Sequence, residues 1–213
     1  MVVFFATQLL TVVWAVTLLG DGSSNRREQA AFLVAVQVAL WVGYGGGSWW
    51  VAHRYGSGIV EAYGARFSRW DVPVGLVLGV VMQLAVVPAI YRFAFGFLDL
   101  DPGRQAQEFT NLARGGGDRV LLIFSAGVMA PLVEELFYRG LVLRSVQRWV
   151  SPWATLLITS FLFALVHGDW HLVPGLTAFG LVVGYLALRS GRLGGAWACH
   201  VGFNATTLVL LLG

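Results

Sequence analysis

Apolar runs of roughly 17 to 25 residues recur along the chain and constrain its fold more than any other feature. They lie at 2–19, 30–51, 73–97, 119–143, 153–168, 171–188 and 195–212. A run of this length crosses the hydrocarbon core of a bilayer as a helix, because a helix satisfies its own backbone hydrogen bonds. The composition agrees, since 57% of the residues are hydrophobic and 12% are charged. The sequence therefore predicts an all-α fold, a polytopic transmembrane helical bundle of about seven spans, within a range of six to eight.

The polar stretch 98–118 divides the sequence into two parts. Before it, no span has an acidic residue at its centre; after it come all the carboxylates at membrane depth and three of the four histidines. This asymmetry predicts an N-terminal membrane scaffold at 1–118, with three spans, loops and the option of a short surface helix at 108–113. The second predicted domain is a catalytic membrane unit of four spans at 119–213.

The distribution of arginine predicts the orientation in the membrane. We call the side on which the N-terminus lies side A. Its predicted loops contain seven arginines, against five on the opposite side B. The side-A residues are Arg54, Arg66, Arg69, Arg144, Arg148, Arg189 and Arg192. The positive-inside rule then predicts a cytoplasmic N-terminus. The first residues, MVVFFATQLL, lack the positive leader of a signal peptide, so we expect a retained first span.

Charge and cysteine content limit the possible partners. The net charge of +3 comes from loop arginines without aromatic interleaving, which indicates contact with anionic membrane lipids and not with nucleic acid. Cys199 is the only cysteine, so an internal disulfide is excluded. Gly180 and Gly184 allow close helix packing within the bundle or between subunits, so the oligomeric state stays open.

Polar residues inside three of the apolar runs form the candidate functional site. Their patterns are Glu134-Glu135-x-x-x-Arg139, Phe163-x-x-x-His167 and His200-x-x-x-Asn204. Ionisable groups at membrane depth are costly and indicate function by default. At about 1.5 Å per helical residue, the glutamates, the histidine of the second pattern and both residues of the third reach similar depths in the A half. We therefore expect these side chains to converge on one cavity that opens to side A.

Helical spacing separates the two glutamates by role. Residues four apart lie one above the other, and an acid N-terminal to its cation is the favoured order, so Arg139 is predicted to neutralise Glu135. Glu134 is rotated by about 100° from Glu135 and is left for chemistry as a general base. Pro131 removes a backbone hydrogen bond to Gly127 and is predicted to loosen the helix where water must enter.

The three patterns, in this order and in successive predicted helices, resemble the CPBP family of intramembrane proteases, also called the Abi or CAAX-prenyl-protease-like family. The resemblance covers about residues 119–210. It implies a membrane endopeptidase in which Glu134 and His167 activate the attacking water. His200 and Asn204 would hold the oxyanion of the tetrahedral intermediate. The supporting residues would be Glu135, Arg139 and Phe163.

The same resemblance implies the setting and the partners. The expected substrate is a membrane-associated or lipidated peptide or protein, and the expected location is the cell membrane of a bacterium. The alternative function is a catalytically idle relative that acts as a bacteriocin-immunity protein or as a membrane scaffold that binds its partner. A transporter that uses Glu134 as a proton relay is the third reading.

A cofactor is not favoured. Glu134, His167 and His200 offer enough nitrogen and oxygen ligands for a catalytic Zn²⁺, which is the alternative. However, the sequence contains no HExxH motif, and a glutamate base with a histidine partner needs no metal. The metal-free reading is therefore preferred.

Overall fold

The computed structural model describes residues 37–96, 100–101, 103, 106–107, 110 and 115–212. Within these residues the secondary structure is helical, without strands. We label the helices α1 (37–55), α2 (Ile59–Tyr63), α3 (Asp71–Ala94), α4 (116–146), α5 (Pro152–Leu165), α6 (Val173–Ser190) and α7 (Gly194–Leu212). The predicted first span at 2–19, the start of the second and most of the short surface helix at 108–113 lie outside the described residues.

Four of these helices are long and apolar enough to cross a membrane, namely α3, the 119–146 part of α4, α6 and α7. The predicted all-α, polytopic class is thereby confirmed. Helix α5 is apolar but has only 14 residues, a length of about 21 Å, which is shorter than the hydrocarbon core of about 30 Å. The predicted span at 153–168 therefore ends too late. The chain turns after Leu165 and passes through Gly168 at φ 72°, a conformation that glycine adopts without strain.

Contacts between the ends of neighbouring helices define the two ends of the bundle. At the end we call end A, which corresponds to side A, Arg192 Nη2 lies 3.0 Å from Asp71 Oδ1, so the loop before α7 is tied to the start of α3. This carboxylate raises the pKa of the Arg192 guanidinium by accepting its hydrogen bonds. At the opposite end, end B, Arg119 Nη1 donates to the carbonyl of Leu212 at 3.0 Å.

Helices α3 and α7 run parallel, and their backbones are in direct contact at glycine residues. A Cβ placed on Gly79 would lie 2.6 Å from the backbone nitrogen of Phe203, and one on Gly202 would lie 2.5 Å from the carbonyl oxygen of Leu76. Only residues without a side chain permit this approach. One turn earlier on α3, Gly75 makes the same kind of contact with α7. The glycines therefore fix the register of α3 against the helix that bears His200 and Asn204.

The buried core draws on both parts of the chain. It contains Tyr63 and Met82 from before the predicted boundary at residue 118, and Phe137, Phe163 and Phe179 from after it. The division into a scaffold and a catalytic unit stays a prediction of the sequence.

Candidate functional site

The adjacent glutamates of α4 have different surroundings. The side chain of Glu135 is 1% exposed, whereas that of Glu134 is 20% exposed. Glu134 lines a cavity of about 510 Å³. Consecutive helical residues point about 100° apart, so one carboxylate can enter the core while its neighbour reaches the cavity.

Glu135 is the centre of a buried polar cluster that joins four helices. Its Oε1 accepts hydrogen bonds from Arg139 Nη1 at 3.0 Å and from His200 Nδ1 at 2.8 Å. The Arg139 guanidinium also donates to the Gly180 carbonyl of α6 at 3.3 Å and lies over the Phe163 ring of α5, 4.5 Å from its centroid. The predicted Glu135–Arg139 ion pair is therefore present. Its hydrogen bonds offset part of the cost of burying both charges.

His200 lies between the two glutamates. Its Nδ1 is bonded to Glu135, and its Nε2 lies 3.9 Å from Glu134 Oε2. Because a carboxylate only accepts, the Nδ1 proton is donated to Glu135, which fixes the ring with Nε2 towards Glu134. The Glu135–His200 contact spans 65 residues and carries no spacing signal, so sequence reasoning missed it.

His167 lies in the turn after α5. Its Nδ1 is 2.8 Å from the Phe163 carbonyl, and since a carbonyl only accepts, Nδ1 carries a proton. The turn starts about 21 Å from the end-A start of α5, within membrane depth. Non-helical backbone is tolerated there when it is buried in protein or lines a water-filled cavity, and His167 lines the cavity of Glu134.

Asn204 lines the same cavity from α7. Its Nδ2 donates to the carbonyl of Ala126 on α4 at 2.9 Å, which uses one of the two protons of this nitrogen. The structure therefore brings Glu134, His167 and Asn204 to one cavity, whereas His200, which was also expected there, does not line it. His200 lies behind Glu134 and is 3% exposed.

The proline of α4 explains why Asn204 finds an acceptor. Within the π-helical turn Ser125–Met129, the N–H of Ala130 bonds to the carbonyl of Ser125, five residues back. In this register the next donor is residue 131, a proline without an N–H, so the Ala126 carbonyl lacks a helical donor. The predicted loss of a hydrogen bond to Gly127 is therefore wrong, because that prediction assumed an α-helical step of four.

The cavity lies towards end B, so the expected opening to side A is wrong. Besides the site residues its lining includes Gln83, Val87 and Tyr91 of α3, Leu122, Ala126 and Ala130 of α4, and Thr207, Leu208, Leu210 and Leu211 of α7. All belong to the end-B half of their helices. At end A the glycine contacts between α3 and α7 leave no space. Depth along a helix does not show to which end the space between helices extends.

The arrangement does not fit a zinc site. A catalytic zinc ion takes three protein ligands. The described part of the chain contains no group of three His, Cys, Asp or Glu side chains placed to hold a metal ion. We therefore derive no step through a metal.

Comparison with known proteins places the site inside a recognised domain. Residues 116–206 match the family described as "Type II CAAX prenyl endopeptidase Rce1-like". All seven residues of the three sequence patterns lie within this segment. The match confirms the resemblance that these patterns carry.

Two curated proteins are similar to parts of the chain. The first is the "Uncharacterized 24.3 kDa protein" of Escherichia coli, 35% identical over 102 residues, which are 45% of this chain and 46% of the relative. The second is the "Putative membrane peptidase YdiL" of Bacillus subtilis (strain 168), 24% identical over 92 residues, which are 43% of this chain and 38% of the relative. The chain thus matches less than half the length of either relative. No solved structure matches it.

Proposed function

Because residues 116–206 match the Rce1-like family, we propose that this chain is an intramembrane endopeptidase that uses water activated by Glu134 and His167. The observation that carries the proposal is the convergence of Glu134, His167 and Asn204 on one cavity inside a bundle of apolar helices. A pure binding protein has no need of a carboxylate base beside two histidines at membrane depth.

The proposed reaction starts with a water molecule between Glu134 and His167. Glu134 takes a proton from the water as the oxygen attacks the substrate carbonyl, and the His167 ring orients the water. The carbonyl π bond breaks and its electron pair becomes the oxyanion. When the intermediate collapses, Glu134 returns its proton to the leaving amine, and the carbon–nitrogen bond breaks.

The oxyanion would be stabilised by donors from α7. Asn204 has a second Nδ2 proton besides the one given to Ala126. His200 lies behind Glu134, and its Nε2 would be the second donor if the ring is protonated and the oxyanion reaches past Glu134, with Glu135 bonded to Nδ1. Such preorganised donors contribute most when water is excluded. Arg139 supports the Glu135–His200 pair through its hydrogen bond to Glu135, and the Phe163 ring packs against the Arg139 guanidinium.

The proposed partners follow from the site's surroundings. A family of peptidases implies a peptide or protein substrate, and the apolar helices imply a membrane setting. Because the cavity lies towards end B, we expect the substrate to enter the site from end B. A membrane-associated or lipidated segment would reach this site without leaving the bilayer.

The test is cleavage of a mixed peptide library in detergent by the wild type and by Glu134→Ala. We expect the wild type to cleave, and Glu134→Ala to lose roughly 10²- to 10⁴-fold in rate, because the general base is gone. The matched control is Glu61→Ala, the same change at an exposed position of α2, which should cleave at the wild-type rate. Equal rates for Glu134→Ala and the wild type, or no cleavage by the wild type, would contradict the proposal. The second outcome would favour the idle, partner-binding relative.

A further inference from the structure

Gln83 of α3 is the polar residue of the cavity for which the sequence patterns provide no role. It lies in the part of the chain that was predicted to be only a scaffold. Its side chain lines the cavity together with Glu134, His167 and Asn204. Its Oε1 is shielded from solvent and has no hydrogen-bond partner among the described residues. A buried acceptor without a partner is costly and is rare in native proteins.

The position of Gln83 is fixed by helix packing. Gly75, Gly79 and Gln83 follow one another at intervals of four on the face of α3 that contacts α7. The two glycines bring α3 to backbone distance from α7, which holds this face in place. The next residue of the face, Gln83, lines the cavity, as do Phe203 and Asn204 of α7.

The surroundings make a structural role for the amide hard to support. The neighbouring residue Leu84 is 53% exposed on the outer face of α3, and Val87, one turn further on, is an apolar wall of the cavity. An apolar residue would pack at position 83 without the desolvation cost of an amide. Position 83 instead carries an amide beside a space that the candidate base Glu134 and the candidate oxyanion donor Asn204 also line.

We infer that Gln83 is a substrate-binding residue whose side-chain amide hydrogen bonds a peptide group of the substrate next to the cleaved bond. A primary amide has one acceptor and two donors, which complement the N–H and C=O of a peptide backbone. Because Oε1 is shielded in the empty site, the side chain rotates on substrate binding and Oε1 then accepts the substrate N–H. This inference rests on the proposed function and gives α3 a part in substrate recognition.

The first measurement is the steady-state kinetics of Gln83→Leu with the best-cleaved peptide of the library. Loss of one hydrogen bond to the bound peptide should raise KM about five- to tenfold and leave kcat within about twofold, because the contact is made in the ground state and in the transition state alike. Leu84→Ala, on the outer face of the same turn, is the control and should keep the wild-type KM.

The second measurement separates direct contact from altered packing. Each peptide N–H of that substrate, except the one at the cleaved bond, is replaced in turn by an ester oxygen. The wild type should lose cleavage efficiency at one position, and Gln83→Leu should show no loss at that same position. Identical profiles for the two proteins, or an unchanged KM, overturn the inference while the proposed function stands. Absence of cleavage by the wild type overturns the proposed function and the inference with it.

Discussion

At the scale of single residues, the candidate site contains two neighbouring carboxylates, Glu134 and Glu135, with different surroundings. Glu135 has two charged or chargeable partners, Arg139 and His200, within 3.0 Å. Glu134 has His200 Nε2 at 3.9 Å and the cavity on its other side. The separation explains how one carboxylate stabilises the fold while its neighbour stays available to a substrate.

The first prediction at this scale concerns stability. Glu135→Gln keeps the shape of the side chain but leaves the Arg139 charge buried without its counter-charge, which should lower the free energy of unfolding by roughly 3 kcal/mol. Glu134→Gln, the same chemical change one residue earlier, should lower it much less, because Glu134 is partly exposed and forms no ion pair with Arg139. The measurement is denaturant unfolding in detergent followed by circular dichroism.

The double variant Glu135→Gln/Arg139→Met is the control for this experiment. It removes both charges, so it should regain much of the lost stability, since neutral replacement of a whole buried pair is often tolerated. Equal stabilities of Glu135→Gln and Glu134→Gln would show that the buried pair does not support the fold.

At the scale of elements, the π-helical turns of α4 position the site. One lies at Ser125–Met129 before the glutamates, and another at Leu136–Val142 after them. A π turn adds a residue to the helix and is common at functional sites. The first turn, together with Pro131, frees the Ala126 carbonyl that accepts from Asn204. A defect in the backbone of one helix thus orients a side chain of another.

Pro131→Ala tests this coupling. The new N–H can donate to the Ala126 carbonyl and compete with Asn204, or return the turn to an α-helical register. Either result releases the Asn204 amide, so we expect kcat to fall by roughly tenfold, part of the loss expected for a missing oxyanion donor. The helix itself should be as stable or more stable, because alanine is a better helix former than proline. Cleavage kinetics and thermal unfolding measure the two effects. Wild-type kcat in a stable variant would contradict the coupling.

At the scale of the whole molecule, the bundle is closed at end A and holds its cavity towards end B. The glycine contacts of α3 with α7 and the Asp71–Arg192 pair close end A. The arginine distribution predicts that end A faces the cytoplasm. Together they predict that water and substrate reach the site from the opposite side of the membrane.

Cysteine labelling in intact cells tests both points. A membrane-impermeant maleimide should label Thr207→Cys, which replaces a cavity residue, and should not label Val209→Cys, which lies 66% exposed on the lipid face of the same helix. Trp149→Cys, in the end-A loop, should be labelled only after the cells are permeabilised. The natural Cys199 is fully buried, so the unmodified chain is the blank.

The outcome would separate cavity direction from orientation. Labelling of Thr207→Cys and Val209→Cys to the same extent would contradict a water-filled cavity. Labelling of Thr207→Cys only after permeabilisation, with Trp149→Cys labelled in intact cells, would reverse the predicted orientation and leave the cavity direction intact.

What the sequence determined by itself is local or periodic. Apolar runs of membrane length require helices in a bilayer, so the class of fold could be predicted from hydropathy. The step of four between Glu135 and Arg139 placed both on one helical face, and their pair is present. The three polar patterns indicated three residues that line the cavity, Glu134, His167 and Asn204, and a resemblance to a peptidase family that residues 116–206 also match.

What only the tertiary structure decided depends on contacts between distant segments. The Glu135–His200 bond, the Asn204–Ala126 bond and the place of Gln83 in the cavity all join different helices. No spacing within one helix encodes them, because they depend on register and crossing between helices. The direction of the cavity likewise depends on where glycines let helices touch and where larger side chains hold them apart.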